Sequence, residues 1–310
     1  MTFAMGPSSR ELVIAIFGPT ASGKTDVAEA LARLLPAELV SADAMQVYRG
    51  LQILTNQSGM RAHLVGIWPP DHEASVGAYQ PLAHAAVDGV LARGRTPVVV
   101  GGTGLYLRAA LSDLELPPPA PPGVRRRLED TYDRLGPERA HALLAERDPA
   151  AAERVHANDR RRVVRALELV EAGLSLRRGR DRLWAADMRR PTIVFGLELA
   201  RDELWRRIEA RTVRMFERGV EDEVARALAG PISQTASAVL GLREIAELPR
   251  AEAAKAVALR TRRYAAYQRK WMRRIPGLVT VRADRPAGEV AHEILEVARA
   301  RERLPARRAG

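Results

Sequence analysis

Leu12–Phe17 (LVIAIF) is an unbroken apolar run, and Gly18-Pro19-Thr20-Ala21-Ser22-Gly23-Lys24-Thr25 follows it at once. The octapeptide matches GxxxxGK[ST], and its setting between an apolar strand and an amphipathic helix from about Lys24 to Leu35 is the one such a loop requires. A run of that length fits a strand buried on both faces of a parallel sheet. Glycines let backbone N–H groups turn inward as an anion nest, and the helix start adds partial positive charge. The chain has only three lysines, Lys24, Lys255 and Lys270, against 46 arginines. A lysine at position 24 therefore points to a specific task, which is reaching terminal phosphate oxygens. Thr25 can ligate Mg²⁺. The loop specifies phosphate or diphosphate, and does not by itself specify ATP.

The rest of the chain extends the strand–helix alternation. Glu38–Ser41 and Thr96–Val100 read as strands, His63–Ile67 as a short strand, and Tyr79–Arg93 as a helix. This is the pattern of an α/β domain with a parallel sheet. Leu116–Gly123 (LPPPAPPG) is a proline-rich break. Val124 to about Leu183 reads as helical, and Thr192–Leu199 (TIVFGLEL) as a strand returning to the first sheet. We therefore expect a P-loop α/β core from residues 1–115 and 190–310, with an all-helical insertion at 116–189. Beyond Arg201 the pattern is mostly helical: 201–218, 220–228, 236–247 and 250–275. A last short strand at Leu278–Val281 and a loose tail from Arg299 complete the reading.

Composition excludes several classes. No stretch approaches the ~20 apolar residues needed to cross a bilayer, and no secretory signal is read at the N-terminus. There is no cysteine, and the six histidines show no close metal-ligand spacing. Lys plus Arg is 49 against 38 acidic residues, a net charge of +11, which favours a polyanionic partner such as nucleic acid. A basic but inert surface is the plain alternative. Lys255–Arg274 carries eight cations and no carboxylate, with Val257, Thr261, Tyr264, Gln268 and Trp271 on one helical face and Arg262, Arg269 and Arg273 on another.

A nucleotide-hydrolysing P-loop protein adds an apolar strand ending in a metal-holding Asp, yet Val98-Val99-Val100 ends in Gly101-Gly102-Thr103. The nearest unexplained carboxylate is Asp43, beyond the second strand. It could ligate metal, act as a general base or cap a turn.

Several stretches together resemble the tRNA dimethylallyltransferases (isopentenyltransferases): GPTASGKT (18–25), SADAMQVYRGLQI (41–53), GGTGLYLRA (101–109), NDRRRVVRALE (158–168), GLEL with RDELWRRIEARTVRMFERG (196–219), LGLREI (240–245) and TRRYAAYQRKWMRR (261–274). They occur in family order across most of residues 12–281. The resemblance implies transfer of a dimethylallyl group from dimethylallyl diphosphate to the exocyclic amine of the adenosine 3′ of a tRNA anticodon. It implies that the phosphate loop (Gly18, Pro19, Thr20, Ala21, Ser22, Gly23, Lys24, Thr25) holds the diphosphate of the donor, with Mg²⁺ on Thr25. It also implies that Arg211, rather than Arg214, supplies a facing cation, and that Asp43 is the general base. For tRNA, the resemblance and the basic clusters together point to Asp43, Ala44, Met45, Gln46, Thr103, Arg125, Arg160, Arg161, Arg162, Arg165, Arg243, Gln268, Arg269 and Arg273. The target base must be extruded from its stack to react. A monomeric, cytoplasmic enzyme is expected.

The chain departs from the family pattern at Ala44, at Leu54 and Gln57 in ILTNQ, at Leu242 in GLRE, and at Ala266 and Tyr267 in AAYQ. Most of these lie in segments expected to face RNA. Two other functions remain open from the residues: an ATP-dependent P-loop kinase of a small molecule, and a non-catalytic RNA-binding relative.

Overall fold

The apolar run before the phosphate loop is the centre of a sheet. The computed structural model describes residues 11–57, 62–118, 120–121, 123–176 and 187–302. Strand β1 (Val13–Phe17) leads through the loop into α1 (Lys24–Leu34) and β2 (Ala37–Ser41). Then come β3 (Ala62–His63), α2 (Val76–Ala92), β4 (Thr96–Gly101) and α3 (Gly104–Leu111). Helices α4 (Val124–Leu135), α5 (Pro137–Arg147), α6 (Pro149–Ala152) and α7 (Arg160–Glu171) follow. The chain continues as β5 (Thr192–Glu198), α8 (Arg201–Glu217), α9 (Val220–Leu228), α10 (Gln234–Ser237), α11 (Leu242–Glu247), α12 (Arg250–Met272), β6 (Val279–Arg282) and α13 (Ala287–Glu302).

The six strands lie in the order β3-β2-β4-β1-β5-β6, every pairing parallel. Successive residues of β1 point to opposite faces. Val13, Ala15 and Phe17 join a core with Tyr79, Ala83 and Val87 of α2 and Leu107 of α3. Ile14 and Ile16 join another with Val27 and Leu31 of α1 and Val290 and Ile294 of α13. Both faces are covered, which is why the strand is apolar throughout. The order places β4 between β1 and β2, so the ends of β1, β4 and β2 deliver Gly18, Gly102 and Asp43 to one edge. That edge is where open α/β sheets bind ligands.

The chain separates into two units, Met1–Leu114 with Leu183–Gly310, and Glu115–Arg182. The described part of the second holds α4 to α7 and no strand, around Leu128, Tyr132, Leu144, Val163 and Leu167. Asp159 caps α7 by accepting from Arg162 N, the usual role of Asp at a helix start.

Several expectations are corrected. The strand expected at 63–67 shrinks to Ala62–His63, because only two residues pair with β2. The helix expected at 236–247 is two short helices, broken by Ala238–Gly241. Helix α3, for which the sequence reading gives no element, carries seven buried residues. Arg299–Glu302 belong to α13 rather than to a loose tail; the remaining tail and the first ten residues lie outside the described residues.

Candidate active site

A cleft of about 490 Å³ opens at the loop-bearing edge of the sheet. Its lining includes Lys24, Thr25, Asp43, Arg211, Tyr264 and Gln268. Ala21 and Gly23 take positive φ, 62° and 85°, and this left-handed backbone lets the loop curl around an anion.

Lys24 Nζ donates to Pro19 O at 2.7 Å. Burial pulls its ammonium down to about 8; the nearby Asp43 carboxylate opposes that shift and the Arg211 cation adds to it. Arg211 reaches from α8, donating through Nη1 to Thr20 Oγ1 at 2.6 Å and through Nη2 to Leu54 O at 3.3 Å. Its Nε is buried without a hydrogen-bond partner. Two half-buried cations close enough to repel each other are costly unless an anion joins them. The arrangement is therefore built for a ligand with more than one negative charge. Arg214 lines the same cleft but is exposed, so Arg211 is the cation tied to the loop.

Asp43 sits where β2 ends. Its Oδ1 accepts from Met45 N at 3.0 Å, so the carboxylate caps a turn and lines the cleft as well. Thr103 Oγ1 accepts from Ala44 N at 3.1 Å and lies 3.3 Å from the Tyr264 hydroxyl. Burial, with Asp43 next in effect, holds the Tyr264 phenol above its ordinary range, so it stays protonated.

Helix α12 is fixed against this site by close backbone approach. A Cβ on Gly102 would lie 2.2 Å from Gln268 Nε2, and one on Gly104 would lie 2.1 Å from the Trp271 ring. Only glycine fits at either place, which accounts for the spacing in GGTG. Gln268 is 2% exposed. It accepts from Thr20 N at 2.7 Å and donates to Gly102 O at 2.8 Å. Its amide thus braces the loop against the Gly102 corner. Gln46 is similarly committed. It accepts from Ser41 Oγ at 2.8 Å and donates to Asn56 O at 3.1 Å and Thr55 O at 3.3 Å.

Glu223, on α9, is the residue sequence reasoning missed. It is 4% exposed and accepts from Ile53 N and Leu54 N, each at 2.8 Å. It fixes the loop whose Leu54 carbonyl holds Arg211. In the sequence it stands among three acids in the first turn of α9, where acids are common for dipole reasons, and nothing distinguishes it.

The basic residues fall into two groups. In the helical unit, Arg160 binds Asp133 through two hydrogen bonds of 2.7 and 2.6 Å, and Arg125 pairs with Glu129 at 3.3 Å. Arg165 donates to Glu168 at 2.7 Å and to Pro118 O at 2.8 Å. Arg160 thus ties α7 to α4, whereas the Arg125–Glu129 and Arg165–Glu168 pairs lie within single helices. Arg161 and Arg162 are exposed, Arg162 with Asp159 at 3.6 Å. In the first unit Arg243 pairs with Glu247 at 2.9 Å, and Arg262 pairs with Glu209. Arg262 thus leaves the stripe expected with Arg269 and Arg273, and of these two only Arg273 is fully exposed.

The departures mostly turn inward. Leu54 and Leu242 are buried, and Gln57 donates to Tyr48 O at 2.8 Å. Only Ala266 and Tyr267 stand on exposed surface.

The family described as IPP transferase matches residues 46–275, and that described as isopentenyl transferase matches 11–63. A tRNA dimethylallyltransferase of Streptomyces coelicolor is 41% identical over 277 residues, covering 85% of this chain and 88% of its own. One from Acidothermus cellulolyticus is 40% identical over 304 residues, covering 92% and 93%. The crystal structure of the tRNA isopentenylpyrophosphate transferase of Bacillus halodurans superposes with a TM-score of 0.65 at 30% identity, covering 96% of this chain and all of that one. A eukaryotic dimethylallyltransferase gives a TM-score of 0.77 at 22% identity and supports the fold alone. The phosphate loop and the Asp43 turn line one cleft, and relatives match across nearly the whole length; this chain belongs to the IPP transferase family.

Proposed function

We propose that the protein transfers a dimethylallyl group from dimethylallyl diphosphate to the exocyclic amine of the adenosine 3′ of the anticodon in tRNA. The observation that carries this reading is the pair of half-buried cations, Lys24 and Arg211, both bonded to the phosphate loop, with the carboxylate of Asp43 in the same cleft. A substrate of this kind places the enzyme in the cytoplasm.

The bond between the amine nitrogen and the first carbon of the donor forms as that carbon's bond to diphosphate oxygen breaks. Charge grows on the leaving diphosphate, and Lys24, Arg211 and the loop N–H groups stabilise it more in the transition state than in the ground state. The amine becomes cationic as it is alkylated, and its proton passes to Asp43. Thr103 and Tyr264 frame the place where the adenine amine enters. Ile53, Leu54, Met215 and Val257 supply apolar lining for the prenyl group.

Mg²⁺ fits the donor set. Among the described residues no cluster of three or more His, Asp or Glu side chains could hold a metal alone. The hydroxyl of Thr25, beside a loop suited to diphosphate, suits an ion that keeps several waters and binds phosphate oxygens. When bound, Mg²⁺ would add positive charge to the leaving group.

Incubation with labelled dimethylallyl diphosphate, Mg²⁺ and an anticodon stem-loop tests the reading. Label should enter the RNA and should be lost in Asp43→Asn. RNA binding without label in the unmodified protein would favour a non-catalytic relative.

A further inference from the structure

Helix α12 presents a surface that the chemistry of the cleft does not use. Arg263, Tyr267, Lys270 and, just beyond the helix, Arg274 recur at intervals of four, three and four residues. That spacing sets them along one stripe, and all four are exposed. Tyr267 is 55% exposed. Its ring meets Trp271 edge-on, with centroids 6.5 Å apart. Trp271 packs over Gly104, next to Thr103, and Tyr264, three residues before Tyr267, lies 3.3 Å from the Thr103 hydroxyl. Tyr267 therefore stands on the outer flank of an aromatic ridge whose inner flank lines the cleft.

The charges on this helix are arranged unequally. On other flanks Arg260 pairs with Glu244 and Arg262 with Glu209. Neither Arg263 nor Lys270 has an ion-pair partner among the described residues. Lys255–Arg274 contains no carboxylate, so the stripe stays cationic around an uncovered aromatic ring.

We propose that this stripe is a platform for single-stranded RNA. Tyr267 stacks one unpaired nucleobase of the loop beside the base that enters the cleft, and Arg263 and Lys270 contact the flanking phosphates. The inference rests on the protein's acting on tRNA. A cationic helix alone serves phosphates; an exposed ring in its middle adds a face for a base, and only unpaired bases offer theirs.

The test is a fluorescence titration with an anticodon stem-loop carrying 2-aminopurine next to the target adenine. The unmodified protein should bind and quench the probe. Tyr267→Ala should raise Kd about tenfold, or about 1.4 kcal/mol, and abolish the quenching. Tyr267→Phe should retain both, because stacking uses the ring and not the hydroxyl. Arg263→Ala and Lys270→Ala should each reduce the slope of log Kd against log salt by about one while quenching persists. Binding of dimethylallyl diphosphate, followed by thermal shift, should be the same in Tyr267→Ala as in the unmodified protein, which separates lost stacking from lost folding. Unchanged Kd and quenching in Tyr267→Ala would overturn the proposal, as would a Tyr267→Phe protein as impaired as Tyr267→Ala. Failure of the unmodified protein to bind the stem-loop would overturn the tRNA reading itself.

Discussion

Arg211 Nη1 donates to Thr20 Oγ1 at 2.6 Å, joining α8 to a loop 191 residues earlier in the chain. The contact holds a cation opposite Lys24. Arg211→Ala removes charge that acts on the leaving diphosphate, and kcat should fall about 10²–10³-fold, the range for removal of one preorganised donor. Arg211→Lys should recover only part of the loss, since one ammonium cannot replace the two contacts to Thr20 and Leu54. Steady-state kinetics with both substrates checks this. A change confined to the KM for RNA would count against the assignment.

Glu223 acts one step away. Its carboxylate receives two backbone N–H groups, and Glu223→Gln sets an NH₂ against one of them. The loop that presents Leu54 O to Arg211 should loosen. We expect the kcat/KM for the donor to fall about tenfold, near the penalty of about 1–3 kcal/mol for one unsatisfied buried group, with the Kd for RNA unchanged. Glu223→Asp, which keeps both acceptor oxygens, should be milder than Glu223→Gln. Equal loss in the two variants would argue for packing alone.

Lys24 gives a pH dependence of known sign. Burial holds its pKa at about 8, below its ordinary 10.5. The kcat/KM for the donor should therefore decline as pH rises through about 8. For stability the direction is opposite. Folded protein binds fewer protons than unfolded protein between these two values, so the cost of burying the ammonium is fully present below about 8 and is relieved above it. Lys24→Met should then melt no lower than the unmodified protein at pH 7, while losing the thermal shift produced by diphosphate. Calorimetry with and without diphosphate measures both; a lower melting point with the shift intact would refute the assignment.

Gly104 meets the ring of Trp271 with no room for a side chain. Gly104→Ala should destabilise the protein by about 1–3 kcal/mol, as overpacking does, read as a lower urea midpoint at constant slope. A Trp271→Leu change beside it should restore part of the loss. An additive double mutant would show that the clash is not the cause.

The sequence exposes some of this architecture and conceals the rest for physical reasons. The phosphate loop announces itself because anion nests need glycine at fixed offsets, and β1 because burial on both faces demands an apolar run. Asp43 stands out as the unexplained carboxylate beyond the second strand, its role as base and the choice of Arg211 come from the family resemblance, and the structure brings both residues to the cleft that Lys24 lines. Helix α3 is hidden because its start, GGTG, reads as a turn; Gly101 is there for close approach of the Ala42 backbone, and Gly102 and Gly104 for close approach of α12. Gln46 and Gln268 read as RNA contacts because an amide's partners cannot be seen in a sequence. Gln46 bonds to Ser41, Thr55 and Asn56, close by along the chain, and Gln268 bonds to Thr20 and Gly102, far away along the chain. The bonds of Glu223 to Ile53 and Leu54 and the Arg160–Asp133 pair are tertiary facts of the same kind as the Gln268 bonds.

The most direct test of the central claim is mass analysis of a tRNA anticodon stem-loop after incubation with the protein, dimethylallyl diphosphate and Mg²⁺. The adenosine 3′ of the anticodon should gain one dimethylallyl group in place of one hydrogen, one diphosphate should be released per group transferred, and Asp43→Asn should abolish the product. Unmodified RNA accompanied by turnover of ATP on a small molecule would contradict the claim.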